Sequence, residues 1–263
     1  MARRRGRLRA VNARDIAAAA AEPFESDPDA ERARLMDDLA RAYRLFGVLR
    51  WGELGDGHIT CRDPLQPDHM WLLRYGVPFE RASAGDLVLV APDGTATDQQ
   101  GRPAAINESA YTIHHPIHEA RPDIGAAAHT HTQWGTPFSA ERRMIEPINQ
   151  EATCFFEDHA LFDDEEVQIM STDGGKRIAA ALGDCRTVIL ANHGLLTVGA
   201  SPADAVGWFV LAERVAEVQM KAREAIPISA ESARIAREDL TGADFGWTLF
   251  GWAARRHLPH EFA

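Results

Sequence analysis

The sequence predicts one α/β domain, because segments with helical periodicity alternate with short apolar runs that are typical of strands. Turn signals separate these segments, and no repeat or linker interrupts the chain after residue 27. The 263 residues suffice to bury a core, and 45% hydrophobic with 25% charged residues is ordinary for a globular protein. We therefore expect residues 27–263 to form the domain, with a C-terminal extension from about residue 226.

The first predicted helix follows a tail of residues 1–26, which is basic, then alanine-rich, then polar. This composition favours a disordered or loosely ordered segment. Asp27 followed by Pro28 is a helix start signal, and Gly47 is a natural stop. Between them, apolar residues at three-to-four spacing predict one buried stripe: Leu35, Met36, Leu39, Ala42, Tyr43 and Phe46.

The rest of the chain alternates between strand and helix signals. Strands are predicted within residues 58–100 and over 125–131, 167–170, 187–191 and 195–198. Helices are predicted over residues 108–120, 174–182 and 201 to about 225. Asn107 is a typical N-cap for the first of these helices, and Pro116 within it predicts a kink or an early end.

Charge and composition exclude several classes of function. The net charge is −11 although the first nine residues carry five arginines and no acid. The rest of the chain, the body of the protein, is therefore more acidic than the net charge indicates. An acidic body repels phosphodiester backbones, which argues against a nucleic-acid partner. No run of 18 apolar residues could span a membrane. Three widely spaced cysteines form neither a disulfide framework nor a metal clip, and they fit a reducing cytoplasm.

The most informative local pattern is His129-Thr130-His131. On a strand, positions i and i+2 point to the same face, so two imidazoles there can converge on one metal ion. His193 is the best candidate for a third ligand, because it follows a buried strand and precedes Gly194, which lets the backbone turn closely. Three neutral histidines leave a coordination position open, which is the catalytic rather than the structural pattern of a metal site.

Six short motifs follow one another along the chain: residues 57–62 (GHITCR), 106–111 (INESAY), 113–114 (IH), 120–123 (ARPD), 129–131 (HTH) and 192–196 (NHGLL). Together they resemble the class II aldolase/adducin family over about residues 30–225. The resemblance implies a three-layer αβα sandwich around a central mixed, largely antiparallel sheet, and a homotetramer with sites between subunits. It also implies that His129, His131 and His193 hold a divalent metal, commonly zinc.

The family resemblance also implies a carboxylate near the metal that moves protons. Its usual position falls on Ala110 here, and the nearest acid is Glu108, two residues earlier. Two positions differ by about 200° around a helix axis, so Glu108 needs a shifted helix start or a kink to replace that acid. Glu108 is the first predicted proton-transfer residue, and Glu151 is the second.

The same comparison bears on the substrate. Glu108 and Ser109 occupy the place where sugar-phosphate relatives tend to carry serines, and His58 stands where they often have asparagine. A carboxylate there would repel a phosphate dianion. A small, non-phosphorylated substrate is therefore expected, with His58, Ser109 and His114 predicted to contact it.

Three functions compete. The leading hypothesis is a metal-dependent lyase that makes or breaks a carbon–carbon bond next to a carbonyl. The second is a decarboxylase or Fe(II)-dependent oxygenase acting on hydroxyaryl or 2-keto acids. Zinc would favour the lyase and iron(II) the oxygenase, and manganese is a further option that three histidines accept. The third is an adducin-like, non-catalytic interaction module, although the cytoskeletal relatives have lost the metal-binding histidines that this chain retains.

Overall fold

The computed structural model describes residues 21–262, and its centre is a mixed sheet of eight strands. The strands are β1 (Gly57–Arg62), β2 (Met70–Leu73), β3 (Leu87–Val90), β4 (Ala96–Thr97), β5 (Ala126–Thr130), β6 (His159–Phe162), β7 (Thr187–Leu190) and β8 (Gly194–Gly199). Their spatial order is β4-β3-β2-β1-β5-β8-β7-β6. All neighbours are antiparallel except β6 and β7, so the sheet is mixed and largely antiparallel as predicted.

Eight α-helices surround the sheet within residues 21–262. They are α1 (Pro28–Val48), α2 (Glu108–Ala120), α3 (Gly135–Ala140), α4 (Gln150–Thr153), α5 (Thr172–Leu182), α6 (Pro202–Lys221), α7 (Ala230–Leu240) and α8 (Phe245–His257). None of these helices is both long and apolar enough to cross a membrane.

The two faces of the sheet pack against different helices because side chains alternate along each strand. On one face, Ile59 and Cys61 of β1 join a large apolar core with residues from α1, α6 and α8. On the opposite face, Ala127 of β5 and Leu196 of β8 pack with residues of α2 and α5. His58 pairs with His129 in the register of β1 and β5, so both side chains lie on the α2 face.

Helix α2 runs through Pro116 to Ala120, so the predicted early end is wrong. Proline removes the hydrogen bond that would reach the carbonyl of residue 112. Gly175 of α5 lies against this carbonyl, and a Cβ at position 175 would overlap the Thr112 oxygen. Only a glycine at position 175 lets the backbone of α5 approach the Thr112 carbonyl this closely. Packing between α2 and α5 therefore stabilises α2 beyond Pro116.

The predicted strand over residues 167–170 is wrong, because these residues lie outside all eight strands and form an irregular segment between β6 and α5. Only Ile169 of these four residues is buried, and Val167 and Met170 are exposed. Ile169 packs with residues of α2 and α5, and its carbonyl accepts from the Thr112 hydroxyl at 3.0 Å, so the segment is held on these helices rather than in the sheet. Helix α5 also begins at Thr172 rather than residue 174, since Ser171 caps it by accepting from the Gly174 N–H.

Both ends of the described chain pack on the body. Of the predicted tail, residues 1–20 lie outside the described residues, and Glu22 donates its N–H to Asp244 while its carboxylate pairs with Arg34. Helix α6 ends at Lys221, a few residues before the predicted end. The segment after residue 226 forms α7 and α8, and α8 crosses α6 where Gly207 faces Gly246, a contact that leaves no room for a Cβ.

Candidate metal centre and cavity

Three histidines converge at one end of the sheet. His129 lies in β5, His131 follows directly after that strand, and His193 lies in the turn between β7 and β8. Their ring centroids are 4.7 Å apart for His129 and His193, 5.1 Å for His131 and His193, and 5.5 Å for His129 and His131. One nitrogen from each ring lies within 4.8 Å of the other two, which is close enough for all three to bind one ion.

The turn that carries His193 is built by local backbone geometry. Leu190 and Gly194 pair at the ends of β7 and β8, leaving a three-residue loop, and the His193 N–H donates to the Leu190 carbonyl. Asn192 has a φ of 58°, a left-handed conformation that asparagine tolerates better than most residues. This geometry brings His193 back towards the end of β5.

Hydrogen bonding and burial prepare the rings for a metal. Nδ1 of His129 donates to the Leu195 carbonyl at 2.8 Å, which leaves Nε2 with a free lone pair. Burial lowers the pKa of His129 well below its ordinary value and lowers the pKa of His193 to about 4, so both rings are neutral at pH 7. Nδ1 of the exposed His131 lies 3.4 Å from the Asp56 carboxylate, an orientation common for metal-binding imidazoles. The donor set therefore fits a divalent metal with an open coordination position.

His58 begins a chain of buried polar groups next to the three histidines. Nδ1 of His58 lies 3.0 Å from Nε2 of His114. Nδ1 of His114 and Nε2 of His118 each lie 2.9 Å from the Thr60 hydroxyl oxygen. Burial lowers the pKa of His58 and of His114 well below the ordinary value, and the pKa of His118 to about 3. The three imidazole rings are therefore uncharged at pH 7.

Two cavities near these groups share the wall residues Arg50, Trp51 and Glu53. The larger, about 850 Å³, has His58 and Asn107 on its wall together with apolar and aromatic side chains, among them Trp51, Leu72, Tyr75, Val77 and Phe79. The smaller, about 530 Å³, is bordered by His131. Trp51 borders both, so the loop that follows α1 separates two approaches to the histidine cluster.

The predicted acids lie apart from the cavity walls. Glu108 is the exposed first residue of α2, and it is its neighbour Asn107 that borders the larger cavity. Ala110 is fully buried among apolar side chains of β2 and β3. Glu151, on α4, pairs with Arg214 at 3.3 Å and accepts from the Asn149 side chain. A role for Glu108 or Glu151 in proton transfer stays a prediction.

The three residues predicted to contact the substrate differ in their position relative to the larger cavity. His58 borders the larger cavity, whereas Ser109 donates to the Asn107 side chain at the cap of α2. His114 is fully buried, and both of its ring nitrogens have partners inside the protein. It therefore contacts His58 in this structure, and direct substrate contact by Ser109 or His114 stays a prediction.

Sequence reasoning missed two residues beside the histidines. Thr60 lies two positions after His58 on β1, so the alternation of a strand could have placed both on one face. Asp56 sits in a loop between Gly55 and Gly57, and nothing in its sequence context indicates that it would approach His131.

The chain belongs to the class II aldolase and adducin N-terminal domain family, whose pattern matches residues 37–220. This confirms the predicted family. The L-fuculose 1-phosphate aldolase from Glaciozyma antarctica PI12 superposes with a TM-score of 0.81 at 32% identity, covering 94% of this chain and 98% of that one. The fold likeness confirms the predicted arrangement of a mixed sheet with helices on its faces.

Two relatives carry names that describe other reactions. A 4-hydroxy-3-prenylphenylpyruvate oxygenase/4-hydroxy-3-prenylbenzoate synthase from Streptomyces roseochromogenus subsp. oscitans is 40% identical over 235 residues, which cover 88% of this chain and 82% of that protein. Decarboxylase NovR from Streptomyces niveus is 39% identical over 233 residues, covering 88% and 84%. Alpha-adducin from Rattus norvegicus is 32% identical, but the match covers 64% of this chain and 23% of that protein.

Proposed function

We propose that this protein is a metal-dependent lyase that makes or breaks a carbon–carbon bond next to a carbonyl in a non-phosphorylated substrate. The observation that carries the proposal is the convergence of His129, His131 and His193 with their ligand nitrogens within 4.8 Å of one another. A divalent metal bound there would supply a Lewis acid for the carbonyl oxygen of the substrate. Zinc is the proposed ion, with iron(II) and manganese as the alternatives.

The cavity wall supports an aromatic or otherwise apolar substrate. Trp51, Val77 and Phe79 offer apolar surface, while His58 offers a ring nitrogen at the end nearest the histidine cluster. Pockets of this kind bind a substrate largely through apolar contacts and orient it with few polar groups. Arg50 and Arg74 also line the wall and suit an anionic group, so a hydroxyaryl acid or a 2-keto acid with an apolar side chain matches this distribution.

Proton transfer is assigned to Glu108, with Glu151 as the second candidate. Glu108 is exposed and follows Asn107 of the cavity wall, so proton transfer by its carboxylate requires a rearrangement at the start of α2. Glu151 is already held by Arg214 and Asn149 and would have to leave both partners. Glu108→Gln should therefore reduce kcat by about 100-fold or more, and Glu151→Gln by much less.

A second candidate reaction keeps the same site. The similarity to an oxygenase and to a decarboxylase over 88% of this chain favours decarboxylation or iron-dependent oxidation of a hydroxyaryl or 2-keto acid. Three histidines accept zinc or iron(II), so the ion that supports turnover decides between the lyase and the oxygenase. Turnover that needs both iron(II) and dioxygen would identify the oxygenase. Under argon, release of carbon dioxide from an acid would identify the decarboxylase, and cleavage into, or joining of, two carbonyl compounds would identify the lyase.

One experiment tests the proposal and its alternatives together. Purified protein is analysed for bound metal, stripped, and reloaded with zinc, manganese or iron(II). Each form is assayed with aldehydes, enediol-forming ketones, hydroxyaryl acids and 2-keto acids. We expect about one metal per chain and turnover that His131→Ala abolishes. A wild-type protein that neither binds metal nor turns over any of these compounds would instead indicate the adducin-like interaction module.

We further propose a homotetramer in the cytoplasm. The family resemblance supports the assembly, and the exposed aromatic Trp252, 71% accessible on α8, is a surface that a second subunit could cover. The cysteines Cys61, Cys154 and Cys185 are all free thiols, as expected in a reducing compartment. Light scattering of the purified protein tests the assembly, and a monomeric mass would overturn it.

A further inference from the structure

The chain of polar groups behind His58 ends without a partner. His58, His114, Thr60 and His118 are joined by three contacts of 2.9–3.0 Å, and all four are buried. At the inner end, Nδ1 of His118 is buried and has no hydrogen-bond partner among residues 21–262. At the outer end, Nε2 of His58 has no partner among the same residues, and His58 borders the larger cavity. The proton positions inside the chain therefore decide what His58 offers to that cavity.

Neutral imidazoles allow three arrangements, because each ring carries one proton, each contact needs one donor and a hydroxyl oxygen can accept twice. In the first, Nε2–H of His118 donates to Thr60, the Thr60 hydroxyl donates to His114, and Nε2–H of His114 donates to His58. Nδ1 of His58 is then an acceptor, and its Nε2 must carry the N–H. In the second, every contact is reversed, so Nδ1 of His118 carries a buried N–H and Nε2 of His58 is unprotonated. In the third, His118 and His114 both donate to Thr60, so Nε2 of His58 is again unprotonated and the Thr60 O–H has no acceptor among residues 21–262.

The burial of the chain selects the first arrangement. An N–H group without a partner in the interior is rare, whereas an unpaired lone pair is tolerated somewhat more often. Arg62 donates to the backbone carbonyl of His118 and places a positive charge beside this ring. A neighbouring cation favours a lone pair over a further N–H dipole. Both effects leave Nδ1 of His118 without a proton, which excludes the second arrangement. The third is disfavoured because it would leave the buried Thr60 O–H without an acceptor, so the first arrangement fixes the direction of all three hydrogen bonds.

We propose that His58 is held as a neutral Nε2–H donor and donates to a negatively polarised oxygen of the substrate, either a carboxylate or an enolate oxygen. His58 lies opposite His129 in the sheet register, with ring centroids 5.2 Å apart. Its donor and an ion on the three histidines would therefore contact neighbouring oxygens of one substrate. Thr60 and His118 are positioning residues that act through His58. The substrate contact rests on the proposed function, whereas the tautomer of His58 does not.

Nitrogen NMR of histidine-labelled protein tests the tautomer directly, in both the metal-free and the zinc-loaded form. We expect a protonated-type shift for Nε2 of His58 and an unprotonated-type shift for Nδ1. Thr60→Val removes the hydroxyl that orders the chain, so the two shifts should move towards intermediate values, and Thr60→Ser should restore them. Thr197→Val is the matched control, because Thr197 is also a fully buried strand threonine but donates to the Ala205 carbonyl instead.

Binding of oxalate to the zinc-loaded protein tests the donation without turnover, since this dianion presents two neighbouring oxygens. Thr60→Val should weaken oxalate binding about fivefold or more, while Thr60→Ser and Thr197→Val should leave it within about twofold, as expected for one hydrogen bond to a charged group. An unprotonated Nε2 on His58 in wild-type protein would overturn the proposal, and so would unchanged oxalate binding by Thr60→Val. Correct shifts and oxalate binding together with no turnover of any substrate would count against the proposed function alone.

Discussion

Nδ1 of His129 donates to the Leu195 carbonyl at 2.8 Å, and this bond connects the central strand β5 to β8 through a side chain rather than through the backbone ladder. The bond fixes the ring so that Nε2 is the only nitrogen available to a metal. It also keeps the imidazole in one orientation before any ion arrives.

We expect His129→Ala to reduce zinc affinity by at least about 100-fold, because two histidines hold the ion less well than three. Titration of the stripped protein with zinc, followed by calorimetry, measures the change. His69→Ala is the control, since His69 pairs with Asp68 outside the histidine cluster. Unchanged affinity in His129→Ala would contradict the proposed metal centre.

Asp56→Asn should weaken zinc binding by about 10- to 100-fold through the loss of the carboxylate 3.4 Å from His131. An amide has no negative charge with which to orient the ring. The Asp68–His69 pair supplies the matched comparison, because Asp68→Asn also removes a carboxylate beside an imidazole, at 2.7 Å. Equal affinities of the two variants would show that Asp56 does not act on the metal.

The metal-free protein should lose stability as the pH falls below 6.5. Burial depresses the pKa of His118 to about 3 and also lowers the pKa of His159, so both rings stay neutral in the folded state. The unfolded chain takes up these protons near pH 6.5, and the stability that the neutral rings contribute is therefore lost as the pH falls from there towards the folded pKa. For His118 the expected loss between pH 7 and 5 is about 2 kcal/mol.

Urea unfolding at pH 7 and pH 5, with a chelator present, measures this dependence. Carboxyls whose pKa burial raises, such as those of Asp204 and Glu213, oppose it, because their contribution is greatest at low pH. The decisive quantity is therefore the difference between wild type and His118→Gln. The variant should show a smaller loss on acidification, and an identical loss in the two proteins would disprove the assignment to His118.

Gly175→Ala should lower the free energy of unfolding by about 2 kcal/mol or more, because the added Cβ would overlap the Thr112 carbonyl and push α5 away from α2. Gly85→Ala is the control, since the nearest atom to a Cβ there is 3.7 Å away and is the flexible Ser83 hydroxyl. Urea unfolding of both variants measures the difference. A Gly175→Ala protein as stable as Gly85→Ala would show that the two helices can move apart freely.

The sequence predicted the parts of the site that depend on short-range rules. The two-residue period of a strand placed His129 and His131 together, and a buried strand followed by Asn-His-Gly placed His193 in a turn at the same edge. What the sequence could not predict depends on loops and on packing between distant elements. Asp56 reaches His131 through a glycine-rich loop, and His118 reaches Thr60 only because α2 lies across β1.

The error at residues 167–170 has the same origin. Their apolar composition resembles a strand, but an edge position next to β7 can hold only one segment, and β6 occupies it. The segment is held instead by Ile169, whose side chain enters the core beside α2 and α5 and whose carbonyl accepts from the Thr112 hydroxyl, and no local pattern records these long-range contacts. The four residues precede α5, and Ile169 is the only one of the four that enters the core.

The three histidines lie on elements that differ in how strongly the fold restrains them. His129 belongs to the strand that is flanked by β1 and β8 in the middle of the sheet, whereas His193 sits at the tip of a three-residue hairpin. Loading and release of an ion should therefore proceed by movement of the hairpin tip while the strand stays still. Hydrogen exchange that slows at residues 191–193 when zinc is added, and hardly changes in β5, would show that only the loop carrying His193 moves when the ion binds.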